Sequence, residues 1–178
     1  MANNVLLLSN AAAPGTALLF PLVVAKQGNV TADSADNPAG VFPFDVEIVK
    51  FVGGVLTNGV DGTDPLSMQF DVKKRAAAAT SGTSVLTTKA SIGGQTGGTG
   101  ISAAAGTGYR HTNADATGVV AAVLDSTKTV VAAGSMISVD FDITRTTPET
   151  EIVGPFAIVW VAPLGGADTR ANGDFVGL

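Results

Sequence analysis

The sequence predicts an all-β fold: an antiparallel two-sheet sandwich of jelly-roll type, with about eight strands and an extended N-terminal arm. Three observations predict it. Several segments alternate apolar and polar residues, as in "LSMQFDVKK" (66–74), where Leu66, Met68, Phe70 and Val72 interleave with Ser67, Gln69, Asp71 and Lys73. Between such segments stand turn residues, among them Asn58-Gly59 and Asp61-Gly62. No segment shows the 3.6-residue apolar period of an amphipathic helix. Alternation leaves each strand one wet face, and antiparallel sheets suit that arrangement.

Residues 1–40 read as the arm, with one or two strands that pack on their own domain or on a neighbour. The apolar run 18–25 is interrupted by Pro21, which confines it to an edge, a first position or a bulge. Ala11 to Ala13 would allow one helical turn, which Pro14 stops from extending. Residues 31–40, "TADSADNPAG", are turn chemistry throughout.

Residues 41–165 read as the sandwich. In "FPFDVEIVKFVGG", Phe44, Val46 and Ile48 alternate with Asp45 and Glu47, and the phase is lost at Ile48-Val49. A β-bulge, or burial on both faces, gives such a slip. "AAAATSGTS" (76–84) is a loop, and "SVLTTKASI" (84–92) a short strand. Residues 93–118 are one long Gly-rich loop, of a length that in a compact domain marks a functional or interaction segment. "VVAAVLD" (119–125) reads as a buried strand. Ile137, Val139, Phe141 and Ile143 then alternate with Ser138, Asp140, Asp142 and Thr144. The closing strand "PFAIVWVAPLG" (155–165) is apolar on both faces: Phe156, Ile158 and Trp160 on one, Ala157, Val159 and Val161 on the other. Such a strand is buried on both sides or has an outer face that meets a partner. Residues 166–178 form a C-terminal tail.

Composition narrows the function. The chain of 178 residues holds 10 Lys and Arg against 15 Asp and Glu, a formal charge of −5. A nucleic-acid partner needs basic residues to neutralise phosphates, so none is expected. There is no cysteine, hence no disulfide framework and no thiolate metal site. The apolar run Val5 to Leu8 has no basic residue before it and is shorter than a secretory core, and no window is apolar for long enough to span a membrane. The protein is therefore expected in a cytoplasm, with no membrane partner. Charged residues make up only 14% of the chain, and the mean hydropathy is +0.36. Charge depletion marks surfaces that other subunits cover.

Three stretches in order, "FDVEIVKFVGGVLT", "LSMQFDVKKRAAAATSGTSVLTT" and "AAGSMISVDFDIT", resemble a jelly-roll module of tailed-phage virion proteins. That family includes head decoration proteins and the tips or bases of fibres. The resemblance covers residues 41–162; the arm and the long loop 93–118 depart from it. It implies a non-enzymatic structural virion protein, a decoration or cement protein that stabilises the phage head by binding the assembled shell. Its partners would be the major capsid protein and copies of itself, as a homotrimer on the capsid surface. A tail or fibre component that reads a host receptor is the alternative.

Chemistry is sparse. The one histidine, His111, stands in "GYRHTNAD" without an evident nucleophile or orienting partner. Tyr109, Arg110 and His111 read better as contact residues. Asp140 and Asp142, two apart on a strand, share one face. They would suit a Ca²⁺ ion or an acid–base pair, but the solvent side of a half-buried strand explains them more simply. Asp61 and Asp64 lack a calcium-loop pattern, and "GGQTGGTG" lacks the Lys-Ser/Thr of a phosphate loop. No catalytic residue, cofactor or metal is expected. The expected contact residues are Leu18, Leu19, Phe20 and Leu22 in the arm, and Tyr109, Arg110 and His111 in the loop.

Overall fold

Period-two alternation becomes sheet throughout the computed structural model, which describes residues 19–59, 66–93, 109–113, 118–146 and 151–164. Among them no helix forms. The first sheet is built from β1 (Phe20–Ala25), β3 (Val46–Thr57), β11 (Val130–Val131) and β13 (Val153–Pro163), in the order β1-β13-β3-β11, with β8 (Arg110–His111) beside β3. The second is built from β2 (Ser34–Val41), β4 (Ser67–Arg75), β7 (Ala90–Gly93), β9 (Val119–Val120) and β12 (Met136–Thr144), in the order β2-β12-β4-β7-β9, with β5 (Thr83–Ser84) beside β4. A two-stranded ribbon joins β6 (Leu86–Thr88) and β10 (Val123–Leu124).

The pairing is nested. The first strand lies against the last and the second against the penultimate; β3 then follows β13, and β4 follows β12, all antiparallel. A long hairpin rolled into two sheets gives this order, which is the jelly roll.

The core lies between the sheets. Ile48, Phe51, Val55, Ala157, Val159 and Val161 face Met68, Phe70, Val72, Ile92, Ile137, Val139 and Phe141. Phe70 and Phe141 are cross-strand neighbours whose rings meet edge to face, 5.9 Å apart at 86°. The first sheet makes room for them at Gly53, where a Cβ would fall 2.4 Å from Phe70 Cγ. Each large apolar side chain in this layer contributes about 1.5–3 kcal/mol by leaving water.

The loss of phase at Ile48-Val49 is a bulge. Trp160 pairs with Lys50 while Val161 pairs with Ile48, so Val49 is the extra residue. Pro21 lies on an edge strand. The Lys26 N–H donates to Pro155 O at 2.9 Å, and ladder parity then turns the Pro21 nitrogen away from β13, where no donor is needed.

Other expectations are corrected. Residues 20–25 and 34–41 are edge strands of the two sheets, so this part of the expected arm packs on its own domain; residues 1–18, including Leu18 and Ala11 to Ala13, lie outside the described residues. The "turn" segment 31–40 yields most of β2. Its pairing with β12 shifts register twice, and side chains hold it: Asn37 Nδ2 donates to Val139 O at 2.9 Å, and the Ile143 N–H donates to Asp33 Oδ1 at 2.8 Å. Segment 84–92 is broken into short strands. Segment 119–125 is two short strands with Val120 and Val123 exposed, not one buried strand. Inside the expected loop 93–118, Arg110 and His111 form β8 on Val55 and Gly54. Residues 60–65, with Asp61 and Asp64, and the tail 166–178 lie outside the described residues.

Candidate interaction surfaces

The first sheet's outer face is apolar. Leu22, Val24, Ala157, Val159 and Val161 point into the core, so their neighbours point out. In register across three strands stand Pro21, Trp160 and Lys50; then Val23, Ile158 and Val52; then Ala25, Phe156 and Gly54. Val23 is 62% exposed, Leu56 60% and Tyr109 59%. Gly54 lets the Phe156 ring lie across the backbone, and Tyr109 stacks on that ring at 5.9 Å and 4°. His111 lies 5.5 Å from Tyr109. Next to them Thr112 clamps β8 to the sheet: its hydroxyl accepts the Gly53 N–H at 2.9 Å, and its own N–H donates to Gly53 O at 2.8 Å. Within residues 21–25, 50–56 and 156–160 the one full charge is Lys50, whose ammonium sits 5.2 Å from the centre of the Trp160 ring.

The same outer face continues toward Phe44, where Glu47 stands opposite Ala162 and Val130 and Asp45 lies beside Leu164. Phe44 leans on Phe42 at 5.8 Å, and Val41, Phe44, Val130 and Leu164 are exposed around it. Carboxylates border this patch. Asp45 accepts the Ala133 N–H at 2.7 Å through its side chain and the Leu164 N–H at 2.9 Å through its carbonyl. Glu47 accepts the Thr129 hydroxyl at 3.2 Å.

The second sheet's outer face is charged, with the four carboxylates of Asp36, Asp71, Asp140 and Asp142 sharing the three cations of Lys73, Lys89 and Arg75. Asp71 and Asp140 stand directly opposite each other, 1% and 3% exposed. Lys73 pairs with Asp140; Lys89 pairs with Asp71 at 3.2 Å and reaches Asp142 at 3.7 Å; Arg75 pairs with Asp36 at 3.3 Å. The Ser84 hydroxyl donates to Asp71 Oδ1 at 2.6 Å, and the Asp36 N–H donates to Asp140 Oδ1 at 2.7 Å. The hydrogen bond to Asp140 holds Lys73 above its usual pKa against its partial burial, with the charges of Asp140, Asp71 and Asp36 adding to it. Burial pushes Asp142 upward, against the pull of Lys89. Asp140 is thus nearly buried under Lys73 rather than on a simple wet face. Among the described residues no cluster of three or more His, Cys, Asp or Glu is placed to hold a metal ion.

The structure separates the expected contact residues. Leu22 is core, Phe20 is half-buried against the core, and Leu19 is exposed before β1. Tyr109 and His111 join the apolar face; Arg110 is half-buried opposite Val55. The arm residue on that face is Val23. Leu56 was also missed, because it follows two glycines whose register no local pattern reveals. The apolar character of both sides of β13 was the usable signal.

No family model matches the chain, and no curated protein matches it. A solved structure from Desmodium yellow mottle tymovirus aligns with 93% of this chain and 99% of its own, at 9% identity and a TM-score of 0.32. A likeness of that size carries no argument about function.

Proposed function

We propose that this chain is a non-enzymatic structural virion protein, a decoration or cement protein that binds the assembled shell of a tailed phage and copies of itself. The observation that carries this reading is the apolar outer face of the first sheet. A half-wet sheet is ordinarily polar outside, yet here Val23, Ile158, Phe156 and Trp160, around an already buried Val52, replace the polar rows. Covering that face contributes about 25 cal/mol per Å² of apolar surface, and repetition over many symmetric sites multiplies the effect without chemistry. The charged face of the second sheet, laced with ion pairs and net negative, suits exposure to water. Viral shells use jelly rolls, but so do lectins and cupins, so the fold alone does not decide.

The stacked Tyr109–Phe156 pair favours one second reading, a tail or fibre component that reads a host receptor, because stacked aromatics also suit glycan contacts.

Co-sedimentation tests the choice. The protein should pellet with the shell encoded alongside it and not bind free major capsid subunits. Binding to host cells with none to shells would replace the cement reading by the receptor reading; binding to neither would remove both.

A further inference from the structure

We propose that two copies of this chain close face to face through the outer face of the first sheet, about a two-fold axis that crosses the strands between Glu47 and Lys50. This rests on the reading that the protein binds copies of itself, and it gives this face to the second copy. The face is continuous and carries both signs of charge. Val46, Ile48 and Phe51 are core and Val49 is the bulged residue, so Asp45, Glu47 and Lys50 all point outward on β3. Glu47 stands in the row of Ala162 and Val130; Lys50 stands in the next row, with Trp160 and Pro21.

Charge selects the axis. An axis along the strands lays each row level with itself, Lys50 with the partner's Lys50 and Glu47 with the partner's Glu47. Like charges in a space losing its water are strongly unfavourable. An axis across the strands, between the two rows, exchanges them. Lys50 then meets the partner's Glu47, and Glu47 meets the partner's Lys50. On β13 the same exchange sets Trp160 over the partner's Ala162 and Ile158 over the partner's Leu164, so the largest ring of the face meets a small side chain. Each contact is made twice, because a closed pair presents identical surfaces. The stacked sheets lie nearly aligned, as the sheets of a sandwich do. Asp45 keeps the Ala133 N–H as its donor.

Size requires the whole face. From the Phe44 end to Leu56 it runs about 40 Å, and three strands make it about 14 Å wide, or about 550 Å² in plan. A specific pair buries about 600–1,000 Å² on each partner. The axis lies near the middle of the length, so nearly all of the face is covered, and the relief of Trp160 and Tyr109 brings it into that range. A contact over half the face falls short of it.

Charge reversal reads the exchange directly. By light scattering coupled to gel filtration, the parent should have the mass of two copies. Lys50→Glu sets carboxylate against carboxylate at two places, and Glu47→Lys sets ammonium against ammonium. Each should raise the dissociation constant by roughly 100-fold or more and leave a monomer where the parent is paired. An equimolar mixture of the two variants should pair, since every reversed charge then meets its opposite, and the double variant should pair with itself. Far-ultraviolet circular dichroism confirms folding. Val23→Glu, at an exposed apolar site, should also be monomeric, and it keeps the test decisive if Glu47→Lys unfolds. A monomeric or three-copy parent, a single reversal that leaves the mass unchanged, or folded variants that ignore each other would overturn the proposal. Shells are absent from this experiment: a pair that ignores shells keeps this inference and removes the cement reading, and a monomer that pellets with shells does the reverse.

Discussion

The ring of Phe156 lies across the backbone of Gly54, so close that a Cβ at Gly54 would fall 2.2 Å from Phe156 Cζ. One residue earlier, Gly53 admits Phe70 on the opposite side of the sheet. Two successive glycines thus let one aromatic ring pack flat on each face of β3.

Gly54→Ala should therefore displace Phe156 and the Tyr109 stacked on it, lowering stability by about 1–3 kcal/mol. Urea unfolding measures it. In a Phe156→Ala background the same substitution should cost much less, because the ring it collides with is gone.

Adjacent residues of β1 should respond differently. Leu22, 8% exposed, packs in the core, and Leu22→Ala should destabilise by about 2–5 kcal/mol. Val23→Ala, on the outer face, should stay within about 0.5 kcal/mol in the isolated chain. Equal losses at the two sites in a thermal melt would contradict the assigned orientation of β1.

Lys89→Met should destabilise the fold by about 1–3 kcal/mol, because Asp71 would remain buried with the Ser84 hydroxyl as its principal partner. Adding Asp71→Leu to Lys89→Met should recover part of the loss, since no unpaired charge then remains. Chemical denaturation of the single and double variants checks this.

The pH dependence has a definite sign at Lys73. Its pKa in the folded protein lies above 10.5, raised chiefly by the hydrogen bond to Asp140. Below 10.5 the ammonium is charged whether folded or unfolded, and the contribution of the pair is fully present. It is lost as pH rises through the folded pKa. Lys73→Arg keeps its charge in that range, so its melting temperature should fall less steeply than the parent's.

Asn58 is fully buried, and neither polar atom of its side-chain amide has a hydrogen-bond partner among the described residues. Asn58→Leu, which keeps the shape and removes the stranded dipole, should raise stability by about 1–2 kcal/mol. A lower urea midpoint would show that the amide is satisfied.

Regular strands were legible because their chemistry is local. β4 and β12 follow from alternation alone, and the bulge at Val49 shows as a phase slip. β2 was not legible: Ser34–Val41 holds Asp36, Asn37, Pro38 and Gly40, and only the distant partners Val139 and Asp140 make a strand of it. The residues of the first sheet's outer face divided in the same way. Tyr109 and His111 could be singled out by residue type, whereas Leu22 and Val23 look alike in sequence and are separated by a one-residue alternation that β13 fixes.

By itself the sequence determined the fold class, the shortage of charge and the two apolar sides of β13, since each follows from side-chain period or composition, and it limited Pro21 to an edge, a first position or a bulge. Only the tertiary structure decided that Phe156, Ile158, Trp160, Val23 and Tyr109 share one surface, and that Asp71 and Asp140 stand face to face beneath two lysines. Those relationships depend on register between strands far apart in the chain, as where Val23 meets Ile158 and, on either side of it, Leu22 meets Val159 and Val24 meets Ala157. Register is set by the whole packed core, and no local stretch of sequence encodes it.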